Sequence, residues 1–272
     1  MEILVAAAYL LLGLLVGFIA GAFGLGGGVI MVPAFLYLFK FHGFSNEIIP
    51  FLAIGTSLFA STAASSAGTY RHLKNKNLNI KVGILFGLFA VVASSSLSFV
   101  AVSLPAKTLK LIFGFVLILV TIRLFMQNGI KDVEDQKPAK YSYLFAPIFG
   151  GMVGSLSAFA GVGGGIIAVP ILHYIFKLPF KKAIGTSNII IIFSAFAAAV
   201  SYIITGLQNS SLPQFTLGYI FLLAGIPAGI GAILSAGMGA QYSFVSQNRK
   251  LKILFALLIL LVDLKIFFDV LN

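Results

Sequence analysis

Two glycine-rich segments contain the residues best able to do chemistry in this chain. Each has the pattern Gly-x-Gly-Gly-Gly-x-x-x-Val-Pro, and seven of the ten positions are identical between residues 24–33 and 161–170. Consecutive glycines between apolar helices expose backbone N–H and C=O groups that protein, water or a ligand must satisfy within a membrane. A short helix is predicted after each segment, and its N-terminal amides and positive dipole end favour an anion. The glycines predicted to bind this anion are Gly24, Gly26, Gly27, Gly28, Gly161, Gly163, Gly164 and Gly165.

The alternative interpretation is that the glycines only permit close helix packing or a kink. Gly13, Gly17 and Gly21, spaced by four in the first apolar stretch, are expected to do just that. The repetition of the longer motif, each time before a short helix, favours a functional break, with Pro33 and Pro170 as hinges. Nucleotide binding is not expected, because neither segment has the Gly-x-Gly-x-x-Gly spacing or a Gly-Lys-Ser/Thr ending.

A second repeated motif, Ile-Gly-Thr-Ser, follows each glycine-rich segment. It supplies Thr56 and Ser57 in the first half, and Thr186, Ser187 and the adjacent Asn188 in the second. Hydroxyl and amide groups donate hydrogen bonds without carrying charge, which suits a pathway that must hold an anion weakly enough to release it. The alternative is that these hydroxyls bond to their own or a neighbouring helix. More hydroxyl side chains follow in the first half, at Ser61, Thr62, Ser65 and Ser66.

Ionisable side chains inside the apolar stretches are few. Asp263 is either a proton carrier or the partner of a neighbouring cation. His173, where the first half has Leu36, either lines the anion site or is a satisfied interior histidine. Arg123 and Lys265 lie near helix ends, from which their charges can reach the interface.

The composition places these motifs in a membrane protein. Of the 272 residues, 60% are hydrophobic and 9% are charged, whereas soluble domains have about 45–50% and about 25%. The net charge of +11 therefore reflects cytoplasmic loops, and no nucleic-acid partner is expected. The chain has no cysteine, three histidines and seven acidic residues, and it lacks the common hydrolase motifs. We expect no enzyme activity, no metal site and no cofactor.

Ten nearly continuous apolar stretches, five on each side of a charged linker at residues 129–140, predict an all-α polytopic membrane protein. Most could cross a ~30 Å hydrocarbon layer, but residues 29–41 and 166–176 are too short. We therefore expect about 8–10 membrane segments, with broken or re-entrant short helices at the glycine-rich motifs. The repeated motifs divide the chain into two homologous halves, residues 1–128 and 141–272.

Basic residues in the loops set the expected orientation. The loop with Arg71, Lys74, Lys76 and Lys81 is the most basic, so we place it in the cytoplasm. If each successive span crosses the membrane in the opposite direction from its predecessor, both termini lie outside the cytoplasm. The third apolar stretch of the first half then crosses the membrane in the opposite direction from the third apolar stretch of the second half. The halves are therefore predicted to be inverted repeats, an arrangement typical of secondary transporters.

Together these motifs resemble one transporter family. The chain is similar over essentially its whole length to the TauE/SafE sulfite exporters, also called TSUP transporters. Outside the two repeated motifs, the resemblance rests on Tyr70, Arg71, Gly225, Pro227 and Gly229. It implies a permease of a bacterial-type inner membrane that moves sulfur-containing anions, such as sulfite, thiosulfate, sulfoacetate or another organosulfonate, usually outward. It also implies that the glycine-rich and Gly-Thr-Ser segments line the substrate site.

The expected mechanism is alternating access with the anion held between the N-termini of the two short helices. One negative charge that leaves an electrically negative cytoplasm releases ~2.3 kcal/mol per 100 mV, so an exporter needs no ion coupling. The alternatives are a proton-coupled transporter or importer that uses Asp263, an anion channel, and a purely structural membrane protein. The expected partners are a small anionic sulfur-containing substrate and the lipid bilayer, and a homo-oligomer is compatible with the sequence.

Overall fold

The computed structural model describes residues 2–24, 26–126, 140–242 and 249–271, and most of them are helical. The α-helices in these residues are α1 (Glu2–Phe23), α2 (Gly28–Phe41), α3 (Ile49–Lys74), α4 (Ile80–Ser103), α5 (Ala106–Met126), α6 (Ala146–Ala160), α7 (Gly165–Pro170), α8 (Phe180–Gly206), α9 (Leu222–Tyr242) and α10 (Arg249–Leu271). Six helical segments of the described residues are long and apolar enough to cross a membrane: α1, α3, α4, α8, α9, and α6 together with the residues that precede it from Tyr143. The predicted all-α polytopic membrane protein is thus confirmed. The predicted linker lies outside the described residues except for Lys140.

Part of one apolar stretch is not helical, contrary to the prediction that the apolar stretches form helices. Strand β1 (Thr216–Leu217) pairs antiparallel with β2 (Ile220–Phe221). Gly218 lies in the turn with a φ of 53°, and α9 begins only at Leu222. Short apolar runs suit a buried strand as well as a helix, so the pattern could not separate the two.

The two short helices lie where the sequence predicts, but they differ from each other. α2 has 14 residues, about 21 Å at 1.5 Å per residue, which is less than the ~30 Å hydrocarbon thickness. α7 has six residues and continues as a π-helical turn, Ile171–Ile175, directly after Pro170. Proline lacks the N–H that a regular helix needs, but Pro33 at the matched position lies within α2, which stays α-helical, so proline alone does not set the change of pattern. The second half therefore has the more strongly interrupted short helix.

Helices of the two halves pack against each other in matched pairs. α1 packs along α9 while α6 packs along α4, and α3 packs on α9 while α8 packs on α4. α3 also packs on α8, and α5 on α10. α1–α5 correspond in order to α6–α10. The α1–α9 contact therefore corresponds to the α6–α4 contact, and the α3–α9 contact corresponds to the α8–α4 contact. The α3–α8 and α5–α10 contacts each join a helix to its own counterpart. The halves are therefore interleaved along their length.

Glycine contacts between helices give their relative directions. Gly55 of α3 lies against Tyr202, and Gly68 lies against Asn188. Residue numbers thus rise along α3 as they fall along α8, so these two corresponding helices run antiparallel. Small residues at such positions let backbones approach closely.

The packing role predicted for the glycines of α1 is confirmed. A Cβ at Gly17 would lie 2.5 Å from the Cα of Ala232 on α9, and Gly13 meets the backbone of Ala228 in the same way. The far side of α1 is apolar and exposed, as at Leu11, whose exposed fraction is 64%. Such a surface matches the hydrocarbon of a bilayer rather than water.

Candidate functional site

The two glycine-rich segments meet in the interior of the protein. Gly28, the first residue of α2, lies so close to Val162 that a Cβ would be 2.5 Å from the Val162 Cα and would overlap the carbonyl oxygen of Gly161. A Cβ at Gly26 would lie 2.5 Å from the Val162 carbonyl oxygen. Only glycine permits this approach of two backbones, so the predicted convergence of the two breaks is present in the structure.

The backbone of the two segments has nearly the same shape at matched positions. Gly24 and Gly161 have φ values of 63° and 67°, and Gly26 and Gly163 have values of 71° and 70°. These left-handed conformations are costly for any residue with a Cβ. The copies differ one position later, where Gly27 is right-handed at −70° and Gly164 is left-handed at 78°. The segments are thus similar turns that lead into unequal helices.

Each glycine-rich segment packs against the Ile-Gly-Thr-Ser motif of the opposite half. Gly24 contacts Ile184, and Gly161 contacts Ile54, which occupies the corresponding position in α3. The Ser57 hydroxyl donates a hydrogen bond to the Gly161 carbonyl oxygen at 2.9 Å, and both groups are buried. The repeated motifs therefore form one central cluster built from both halves, which we call the glycine centre.

The paired threonines use their hydroxyl oxygens to hold backbone next to two long helices. Thr56 accepts a hydrogen bond from the Phe221 N–H at 3.0 Å, just before α9. Thr186 accepts one from the Asn79 N–H at 2.8 Å, just before α4. These bonds are counterparts of each other, since α4 and α9 correspond in the two halves. They give both threonines a positioning role, and each hydroxyl hydrogen is still free to donate elsewhere.

The serines near the glycine centre differ in what they bind. Ser187 donates to the Ile184 carbonyl of its own helix at 2.8 Å, as the alternative interpretation expects. Ser194, which the sequence analysis did not single out, donates to the Gly163 carbonyl oxygen at 2.9 Å. The sequence feature that could have pointed to Ser194 is that it is a polar residue in the apolar stretch after the second Ile-Gly-Thr-Ser motif.

Several buried polar groups have no hydrogen-bond partner within the described part of the chain, and they include the hydroxyls of Ser61 and Ser157 and the Nδ2 amide of Asn188. The Ser61 oxygen lies 3.4 Å from the position of a Cβ at Gly27, so it borders the glycine centre. Asn188 is 3% exposed and lies against Gly68 between α3 and α8. Buried donors without a partner are costly unless a ligand or a second conformation satisfies them.

His173 is placed as a buried interior histidine. Its exposed fraction is 1%, and its Nδ1 lies 2.9 Å from the Leu178 carbonyl oxygen. Its ring packs edge-on against Tyr174 and Phe180. These contacts fix the chain after the π-helical turn, and they give the ring a structural task whether or not it also faces an anion.

The predicted hinge and proton residues lie at the edge of this arrangement. Pro33 lines a cavity of about 130 Å³ between α2, α5 and α10, and Pro170 ends α7 at the π-helical turn. Asp263 on α10 is 2% exposed and faces Gly114 of α5. Within the described residues its Oδ1 has no hydrogen-bond partner, so the expected neighbouring cation is not bonded to that oxygen.

The described residues contain no group of three or more His, Cys, Asp or Glu side chains that could hold a metal ion. The groups around the glycine centre are backbone amides, hydroxyls and one carboxamide. Such groups donate hydrogen bonds without formal charge, so they suit reversible binding of an anion.

Comparison with known proteins identifies the family of the chain. The sequence profile of the family described as sulfite exporter TauE/SafE matches residues 9–266. The chain is 28% identical over 246 residues to a probable membrane transporter protein of Methanocaldococcus jannaschii, which covers 90% of this chain and 89% of that protein. It is 25% identical over 273 residues to a probable membrane transporter protein of Bacillus subtilis, at 95% and 96% coverage.

A shorter match of 119 residues, covering 44% of this chain, is 28% identical to sulfite exporter TauE/SafE family protein 5 of Arabidopsis thaliana, of which it covers 25%. The relatives are described as membrane transporters, not as enzymes. From the match over nearly its whole length, the chain belongs to the TauE/SafE sulfite exporter family and is a multi-pass membrane transporter.

Proposed function

We propose that this protein exports a sulfur-containing anion, such as sulfite, thiosulfate, sulfoacetate or another organosulfonate, and that the glycine centre is its substrate site. One observation carries the proposal: the breaks of both halves converge beside the Ser61 hydroxyl, a buried donor with no partner among the described residues. A second such donor, Asn188, lies on α8 one turn from Ile184 and Ile191, which contact the glycines of both breaks. An oxyanion has several acceptor oxygens, which is what such donors require.

The electrostatics of the glycine centre favour an anion without holding it tightly. The N-terminus of α2 carries free backbone amides and the positive end of the helix dipole. α7 is too short to have a strong helix dipole, so it does not add a second strongly positive helix end. The glycines before α7 contribute to the site because their backbone can approach an anion closely. Hydroxyl and carboxamide donors around them complete the site. The proposed substrate-lining residues are the eight glycines of the two segments, Thr56, Ser57, Thr186, Ser187, Asn188 and His173.

Alternating access is the proposed mechanism, in a bacterial-type plasma membrane. The antiparallel directions of α3 and α8 and the matched helix pairs support two halves inverted across the membrane. The basic loops favour an orientation with both termini outside the cytoplasm. The direct contact of Gly28 with Gly161 leaves the glycine centre closed. Substrate entry therefore requires the segments to separate, with Pro33 and Pro170 as the points where the short helices pivot. A homo-oligomer is compatible with this scheme.

Proton coupling is a second candidate function, favoured by the buried Asp263, whose Oδ1 has no hydrogen-bond partner among the residues that the structure describes. A carboxyl group that is shielded from water inside a membrane protein is a standard proton carrier. Under this alternative, anion movement would change with a pH gradient in the native protein and not in Asp263→Asn. An uncoupled exporter gives the same rate in both.

Transport into or out of proteoliposomes tests the proposal. Vesicles loaded with sulfite or sulfoacetate should release it in a saturable, voltage-dependent manner when the protein is present. Gly28→Ala should abolish release, because the added methyl overlaps the opposing backbone. Gly151→Ala is the matched control, since a Cβ there meets nothing within 4 Å. Single-channel currents would instead indicate an anion channel, and a correctly folded protein that moves no anion would refute the proposal.

A further inference from the structure

A cluster of charged side chains lies where α2, α5 and α10 meet, apart from the glycine centre. It consists of Tyr37 and Lys40 on α2, Lys110 on α5, and Lys265 and Asp269 on α10, and we call it the lysine cleft. The Lys40 Nζ lies 2.6 Å from Asp269 Oδ2, and the Lys265 Nζ lies 4.1 Å from the centre of the Tyr37 ring. Lys110 lines the same cleft. The cluster contains three ammonium groups and one carboxylate, so it has an excess of positive charge.

Tyr37 is the centre of this cluster. Its ring has Lys265 over it and Lys40 at 5.5 Å from its centroid, both within reach of a cation–π interaction. Its hydroxyl is buried and has no hydrogen-bond partner among the described residues. A negatively charged ligand oxygen in the cleft would accept a hydrogen bond from this hydroxyl and would also balance the excess positive charge.

An apolar cavity adjoins the cleft. It has a volume of about 130 Å³, lies between the same three helices, and shares Tyr37 with the cleft. Its walls are Val29, Ile30, Pro33, Ala34, Tyr37, Leu117, Ile259 and Val262. A dry apolar cavity of similar size is known to accept a benzene-sized group. The cleft and the cavity thus match an anionic head and a short apolar tail.

We propose that the lysine cleft and this cavity together bind a small amphipathic oxyanion, such as a sulfonate with a short hydrocarbon tail. The inference goes beyond the proposed function, because this site lies apart from the glycine centre and takes organic rather than inorganic anions. The Lys40–Asp269 ion pair now fills the cleft, whose free volume of about 10 Å³ is that of roughly one water molecule. The head group therefore replaces Asp269 as the partner of Lys40, and the tail enters the cavity beside Pro33.

The same residue types recur at corresponding positions of the second half. Tyr174 and Lys177 follow the second glycine-rich segment as Tyr37 and Lys40 follow the first. The counterparts of Lys110 and Lys265 are Lys252 and Arg123.

Calorimetric binding to the purified full-length protein in neutral detergent tests the inference. The ligands are methanesulfonate, propanesulfonate, hexanesulfonate and inorganic sulfate. Affinity should rise about fourfold for each added methylene until the cavity is filled. Ala34→Phe, which fills the cavity, should remove this dependence on tail length and leave the binding of methanesulfonate unchanged.

Charge variants test the head-group part of the site. Lys110→Gln should weaken binding of every sulfonate about fivefold, as expected for a partly exposed charge pair. Asp269→Asn should strengthen it, because it removes the carboxylate that competes for Lys40. Lys107→Gln is the control, since Lys107 is exposed on the same helix and does not line the cleft. Equal affinity in all variants, or weaker binding in Asp269→Asn, would overturn the inference.

A lipid is the other source of an anionic head with an apolar tail. Competition by phosphatidylglycerol, without measurable binding of any short sulfonate, would assign the site to lipid and overturn the inference. The outcome is separable from that of the proposed function. Sulfite transport with no dependence of sulfonate binding on tail length refutes only the lysine cleft, whereas length-dependent binding without any anion transport refutes only the proposed function.

Discussion

Replacing Asn188 by leucine should make the protein more stable and less active. The Asn188 side chain is 3% exposed, and its Nδ2 has no hydrogen-bond partner within the described residues. A buried amide left unsatisfied costs about 1–3 kcal/mol, and an apolar replacement removes that cost. The corresponding residue of the first half is already a leucine, Leu58, which is fully buried. The gain should raise the thermal unfolding midpoint by a few degrees, at about 2–4 °C per kcal/mol.

The loss of activity in this variant follows from the same amide. If Nδ2 donates to the anion, that charge-assisted hydrogen bond is worth about 1.5–3 kcal/mol, or roughly 10- to 150-fold in affinity. We would measure the concentration for half-maximal transport in proteoliposomes alongside thermal unfolding. Asn188→Ala separates the effects, because it removes the amide without adding bulk beside Gly68.

Ser57→Ala is the contrasting variant and should lower stability. It removes the donor to the buried Gly161 carbonyl oxygen and leaves that oxygen unpaired, at a cost of about 1–3 kcal/mol. The two variants should change stability in opposite directions because Ser57 donates a hydrogen bond to a buried acceptor, whereas the Nδ2 of Asn188 has no acceptor among the described residues. If Asn188→Leu lowers the unfolding midpoint and leaves transport unchanged, then Asn188 has a structural partner and the reasoning about the site is wrong.

Two further predictions concern the supports of the site. Thr56→Val should destabilise the protein by about 1–3 kcal/mol, because the buried N–H of Phe221 loses its acceptor, and Thr56→Ser should restore stability in the same unfolding assay. His42, stacked on Tyr9 and bonded to its hydroxyl at 2.9 Å, has its pKa lowered below 6.5 by burial. The folded state thus prefers the neutral ring, so stability should be present above pH 6.5 and fall as the pH drops through the lowered pKa. The effect is small because His42 keeps an exposed edge, and unfolding curves of His42→Phe should lack it.

The sequence was most informative about elements and repeats. Long apolar stretches must form helices in a membrane because no water is there to satisfy their backbone groups. The predicted short stretches at residues 29–41 and 166–176 agree to within one residue with α2 and with α7 plus its π-helical turn. The pattern was wrong where Thr216–Phe221 forms a small antiparallel pair, a segment too short for its period to decide between strand and helix.

The candidate site was only partly predictable. Two glycine-rich copies in inverted halves predicted convergence, because a two-fold axis in the membrane plane brings both breaks to the same depth from opposite sides. The sequence did not reveal that Thr56 and Thr186 accept bonds from backbone amides, or that Ser157 and Ser194 lie near the breaks. Which hydroxyl finds a partner depends on contacts between residues far apart in the chain, and local spacing carries no information about them.

Composition and internal repetition by themselves determined that this chain is a helical membrane protein of two related halves, because the hydrophobic effect and backbone hydrogen bonding leave few other structures for such a sequence. Only the tertiary structure decided that the halves interleave. It also decided that the Ser57 hydroxyl has an acceptor, whereas the Nδ2 of Asn188 has none among the described residues. It also placed Lys40, Lys110 and Lys265 around one tyrosine. These outcomes depend on which faces of the helices lie against each other. That choice is made by the packing of whole helices that are far apart in the chain, and local sequence spacing does not encode it.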